Sequence, residues 1–79
     1  MRIIKIDRGS VEIEIDHRIL RILGEAMLPK APPELSEYII YKNTLNWKNT
    51  DDRPDIDEEA LFSFLRKEFL KRNLLLVIE

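Results

Sequence analysis

The chain has 79 residues, 44% hydrophobic and 35% charged, with a net charge of −2 and no cysteine. That length makes a single domain, residues 1–79. Mixed charge and clustered apolar residues exclude a disordered chain, and the lack of cysteine excludes a disulfide framework and a thiolate metal site.

The slight acidic balance argues against nucleic acid as a partner, because a phosphate-binding surface needs a basic excess on one face. A membrane is also not expected: the longest apolar run, Leu74 to Ile78, is far short of the roughly 20 residues that span a bilayer. Charges interrupt the N-terminus from Arg2 onward, so no signal peptide is read there. A domain this small without disulfides fits a cytoplasmic location.

In chain order, residues 2–23 carry the clearest pattern. Ile4, Ile6, Val11, Ile13 and Ile15 recur at every second position, the period of half-buried strands. Turns at Arg8-Gly9 and Asp16-His17 set two registers. The first places Ile6 opposite Val11 and Ile4 opposite Ile13; the second places Ile13 opposite Leu20 and Val11 opposite Ile22. Both put Glu12 between Lys5 and Arg21 on the other face, where such pairs contribute roughly 0.2–1 kcal/mol each. Asp16-His17 lacks the glycine that a two-residue hairpin favours second. The outer face would carry Ile3, Glu14 and Ile19 in a row, with Leu23 beyond, which reads first as an ordinary protein surface and second as a modest contact patch for a partner.

Residues 24–36 read as a loop, because Pro29, Pro32 and Pro33 interrupt ladder bonding. Glu37 to Lys42 reads as a fourth strand, and Asn43 to Asp55 as a long polar connection. A helix starts at the capping Asp57, with Ile56 stapled onto Leu61. Leu61, Phe62, Leu65 and Phe69 share one arc of it, Leu70 lies opposite, and Asn73 caps the end. Leu74 to Ile78 is a final strand, apolar throughout, and is expected to be covered on both faces or to sit inside the sheet. The expected fold is therefore α+β: an antiparallel β-meander of about five strands packed against one C-terminal α-helix, in the order β-β-β-β-α-β.

No catalytic site emerges. His17, the one histidine, lies at a hairpin tip without the positioned partner a general base needs. The acidic run Asp51, Asp52, Asp55, Asp57, Glu58 and Glu59 lacks the alternating ligands and sharp-turn glycine of a calcium loop, so no metal and no cofactor is expected. Asp57, Glu58 and Glu59 suit a helix N-terminus. Asp51 and Asp52 lie outside the first turn, and an acidic patch facing a basic protein would explain them. Trp47, the one tryptophan, reads first as a plug at the core edge and second as an interface anchor. The candidate partner-binding residues are accordingly Trp47, Asp51, Asp52, Asp55, Glu58 and Glu59.

One succession runs through nearly the whole chain. It comprises Arg8-Gly9, Val11-Glu12-Ile13-Glu14-Ile15-Asp16, Gly24-Glu25-Ala26, Tyr41 through Trp47, Ile56-Asp57, and a final strand ending in Glu79. In order and spacing it resembles immunity protein family seventy-four, from bacterial polymorphic toxin systems. The family pattern tends to have glycine where His17 stands, and the proline loop at 28–36 looks like a variable insert. The resemblance implies an intracellular, non-enzymatic protein that protects its producer by binding a cognate protein toxin. The acidic segment at 51–59 would speed encounter with a basic toxin, most naturally a nuclease domain. The alternative is a small structural or regulatory module that forms a homodimer through the edge of its apolar final strand.

Overall fold

The computed structural model describes residues 1–50 and 52–79. Its strands are β1 (Arg2–Ile6), β2 (Ser10–Ile15), β3 (Arg18–Ala26), β4 (Ser36–Ile40), β5 (Asn46–Trp47) and β6 (Leu74–Ile78), with one helix, α1 (Glu58–Lys71), before β6. The sheet runs β1-β2-β3-β4-β6, and the two-residue β5 pairs with β3 beside β4.

The α+β class is observed, but the sheet is not a pure meander. β1 to β4 pair antiparallel in succession, whereas β6 pairs parallel to β4. The reason is directional: α1 carries the chain back, so the strand after it runs alongside β4 in the same sense. β6 is also an edge strand rather than an interior one. Of its five aliphatic residues only Leu76 is buried, and Leu75 is 44% exposed.

Most of the expected register is present. Ile6 faces Val11, Lys5 faces Glu12, Glu12 faces Arg21, Ile13 faces Leu20 and Val11 faces Ile22. The exception is in β1, where the register shifts between Ile3 and Lys5. Ile3, not Ile4, then lies opposite Ile13 and packs against the core, leaving Ile4 exposed. The extra residue flips the side chains beyond it, as a bulge does. It also sets Arg2 opposite Glu14, 3.1 Å away in an ion pair.

Asp16 and His17 do form the second turn, with φ of 49° and 64°. Both central residues are left-handed, as a type I′ turn requires, without glycine at either. His17→Gly is therefore expected to stabilise the fold by about 0.5–1 kcal/mol, because relief of the left-handed cost exceeds glycine's entropy. A lower thermal midpoint would refute that.

Residues 24–26, expected in a loop, extend β3 and pair with β4. Gly24 looks like a breaker in sequence, yet here it lets another chain segment approach. A Cβ on it would lie 2.5 Å from the Ile39 carbonyl oxygen and 2.5 Å from the Tyr38 ring. The connection expected at 43–55 also contains order: a 3-10 turn at Lys42–Thr44 and then β5.

One core cluster lies between the sheet and α1. β2 and β3 supply Val11, Ile13, Leu20 and Ile22, while the helix supplies Leu61, Leu65 and Phe69. Each fully buried side chain of this size contributes roughly 1.5–3 kcal/mol. Phe62 flanks the buried arc and Leu70 is exposed. Asp57 caps the helix by accepting from the Ala60 N–H at 3.1 Å, and Ile56 packs against the core. Asn73, with φ 59°, ends the helix in the left-handed region and turns the chain directly into β6.

Candidate partner-binding surface

The segment 46–59 starts at β5 and ends in the first turn of α1. A compact hydrogen-bonded clasp holds its first half. The Asn46 side-chain amide donates to the carbonyls of Thr50 (2.5 Å) and Trp47 (3.1 Å). The Thr50 N–H and hydroxyl both donate to the Trp47 carbonyl, at 3.2 and 3.3 Å. The Trp47 N–H donates to the Asp52 carbonyl at 3.2 Å, and the Thr50 hydroxyl oxygen accepts from the Asp52 N–H at 3.2 Å. Asn49, with φ 71°, makes the reversal. The clasp was not read from the sequence, although the Asn-rich, Thr-ended stretch 46–50 carries the turn chemistry that signals it.

Trp47 is the fulcrum of this segment. Its ring is 8% exposed within the core cluster, opposite Leu20 on β3. The Arg18 guanidinium covers it, 4.0 Å from the ring centroid, a contact worth roughly 0.5–1 kcal/mol at a partly exposed site. Trp47 thus anchors the loop from beneath and presents little ring surface to solvent.

The carboxylates differ in what they do. Asp52, Asp55 and Glu59 are exposed, and among the described residues none of them is in an ion pair. Glu58 is half-buried and bound to Arg53 at 3.0 Å; the same arginine also donates to the Asn43 carbonyl at 3.4 Å. Asp57 is committed to its capping bond. Asp51 lies outside the described residues. Pro54 is buried within the run and pins its middle. The structure therefore brings Asp52, Asp55 and Glu59 onto one anchored segment and withdraws Glu58 and Asp57 into local bonds.

His17 is exposed at the β2–β3 hairpin tip. Among the described residues no group of three or more His, Asp or Glu side chains is arranged to hold a metal ion. No helix among them is long and apolar enough to cross a membrane. Among the described residues the one strongly perturbed group lies elsewhere: burial, aided by the nearby Asp7 charge, pushes the Tyr38 phenol up to about 12.

No curated protein and no solved structure matches the chain. The family described as Immunity protein 74 matches over residues 3–79, which takes in the whole fold described above apart from Arg2 at the start of β1, and the chain belongs to that family.

Proposed function

We propose that this protein is an immunity protein that neutralises a cognate bacterial toxin by stoichiometric, non-enzymatic binding in the cytoplasm. The observation that carries this reading is the family match over residues 3–79. The binding surface we assign is the acidic segment, with Asp52, Asp55 and Glu59 as its free charges, Glu58 beside them and Trp47 as its anchor; Asp51 adds to the charge of the run by sequence alone. Three carboxylates on a clasped loop and a capped helix end lose little freedom when a partner docks, which lowers the ordering cost of binding. Their charge suits a basic toxin surface, such as the phosphate-binding face of a nuclease domain, and would speed encounter with it.

Two experiments test the proposal. Co-expression with the toxin encoded beside it should restore growth; continued killing despite soluble protein would overturn the immunity reading. The triple variant Asp52→Asn, Asp55→Asn, Glu59→Gln should slow association with that toxin about tenfold at low salt, with a much smaller effect at high salt. Unchanged association kinetics would remove the acidic segment from the account while leaving immunity intact.

A further inference from the structure

The two edges of the sheet are built differently. β1 carries Arg2 and Lys5 and a register shift between them, the devices that keep an edge strand from pairing with another chain. β6 carries none: its sequence is Leu-Leu-Leu-Val-Ile. Among the described residues no strand pairs with its outer side.

The direction of its free backbone groups follows from the ladder. The Glu79 N–H donates to the Ile40 carbonyl at 2.9 Å, and the Glu79 carbonyl accepts from the Lys42 N–H at 2.8 Å. Successive residues of a strand turn these groups to opposite sides, so Leu75 and Val77 also face β4, while Leu74, Leu76 and Ile78 turn theirs outward.

We propose that β6 pairs antiparallel with β6 of a second copy of this chain, about a two-fold axis at Leu76, to make a continuous sheet across a homodimer. The register is self-complementary. Leu76 meets its own copy and Leu74 meets Ile78, and each of these pairings exchanges both outward groups, so every free N–H and C=O of the edge finds a partner. Leu75 and Val77 then face each other in the close, non-hydrogen-bonded pairs on the outer face, covering the 44%-exposed Leu75 side chain. The same register sets Glu79 opposite Asn73 of the other copy, next to Arg72, whose guanidinium bonds Glu68 at 3.4 Å and whose side chain is still 43% exposed, so opposite charges approach at each end of the pairing. An isologous interface of this kind closes on itself at two copies. It uses none of the acidic-segment residues, and it stands whether or not the toxin-binding proposal does.

The test is sedimentation of the wild-type chain over a wide concentration range. A reversible monomer–dimer equilibrium is expected. Leu75→Lys, a change on the exposed face, should weaken it at least about tenfold while leaving the circular dichroism of the monomer unchanged; Val77→Lys serves if the first variant loses its fold. Register is read by mixing Leu75→Cys chains with Val77→Cys chains under mild oxidation. The chain has no native cysteine, and the paired positions would lie about 4.5 Å apart between Cα atoms, so the mixture should cross-link and either variant alone should do so weakly. Wild type that stays monomeric throughout, as it would if β6 awaited a strand from a different protein, overturns the proposal. So does a dimer that Leu75→Lys leaves intact, or a mixture that fails to cross-link.

Discussion

Gly24→Ala is expected to cost about 3 kcal/mol, at the upper end of the usual range for inserting atoms into a filled space. The added Cβ would lie 2.5 Å from the Ile39 carbonyl oxygen and 2.5 Å from the Tyr38 ring. Neither neighbour can yield cheaply. The carbonyl belongs to β4, which pairs with β3 at this point, and the ring is 2% exposed. The Tyr38 ring is also held at both ends of its reach. Its hydroxyl donates to the Asp7 carbonyl at 2.6 Å, and it packs edge-on against Phe69 at 5.4 Å. Displacing it would loosen the β1–β2 turn, the sheet and the helix together. For a domain of this size each kcal/mol moves the midpoint by roughly 4–8 °C, so thermal melting should drop by about 12–24 °C. Gly9→Ala is the matched control. A Cβ there meets nothing within 4 Å and the residue is not left-handed, so its midpoint should barely move. Similar midpoints for the two variants would show that Gly24 is not a close-approach glycine.

The second large effect is on alkaline stability. The Tyr38 phenol titrates at about 12 in the fold against 10.0 for an unperturbed tyrosine, because burial disfavours the phenolate. The neutral form is the one the fold keeps. Below pH 10 both folded and unfolded chains hold this proton, and the stabilisation is fully present. Between pH 10 and 12 the unfolded chain releases it first, so stability falls as pH rises, by about 1.4 kcal/mol per pH unit. Because each state is only half-titrated at its own end of the interval, the loss across it is about 2 kcal/mol, a large share of the stability of a small domain. Denaturant melts of wild type and Tyr38→Phe at each pH isolate the contribution. The variant should be less stable by about 1 kcal/mol at neutral pH, for the lost bond to Asp7, and the gap should close and reverse toward pH 12. A constant difference across the interval would mean that Tyr38 is not the group responsible. Tyr41 is raised as well, but it lies at the surface against Glu25, and it is present in both proteins, so it cancels.

Strong local periodicity made the β1–β2–β3 hairpins, the helix and its caps legible in the sequence. Val11, Ile13 and Ile15 permit one register without burying charge, and Asp57 and Asn73 mark helix ends by chemistry that needs no distant partner. The bulge in β1 was not legible, because Ile3 and Ile4 are equally apolar and the choice between them depends on which meets Ile13. The Asn46–Thr50 clasp was missed for a related reason: its bonds converge on the Trp47 carbonyl, a backbone group invisible in a pattern of side chains. The acidic character of 51–59 was plain. Its division into free, capping and ion-paired carboxylates was not, since that depends on where Arg53 and the helix axis fall.

Residue order alone specifies an α+β chain with three consecutively paired strands, one amphipathic helix before an aliphatic strand, and a succession of residues that carries its family. The place of that last strand and the role of Gly24 emerge only when the chain has folded. An all-apolar segment reads the same at an edge as in an interior, and its parallel pairing with β4 follows from the direction in which the helix returns the chain. A glycine's purpose is set by what approaches it, here a tyrosine from the next strand, and that closeness exists only once the sheet has formed.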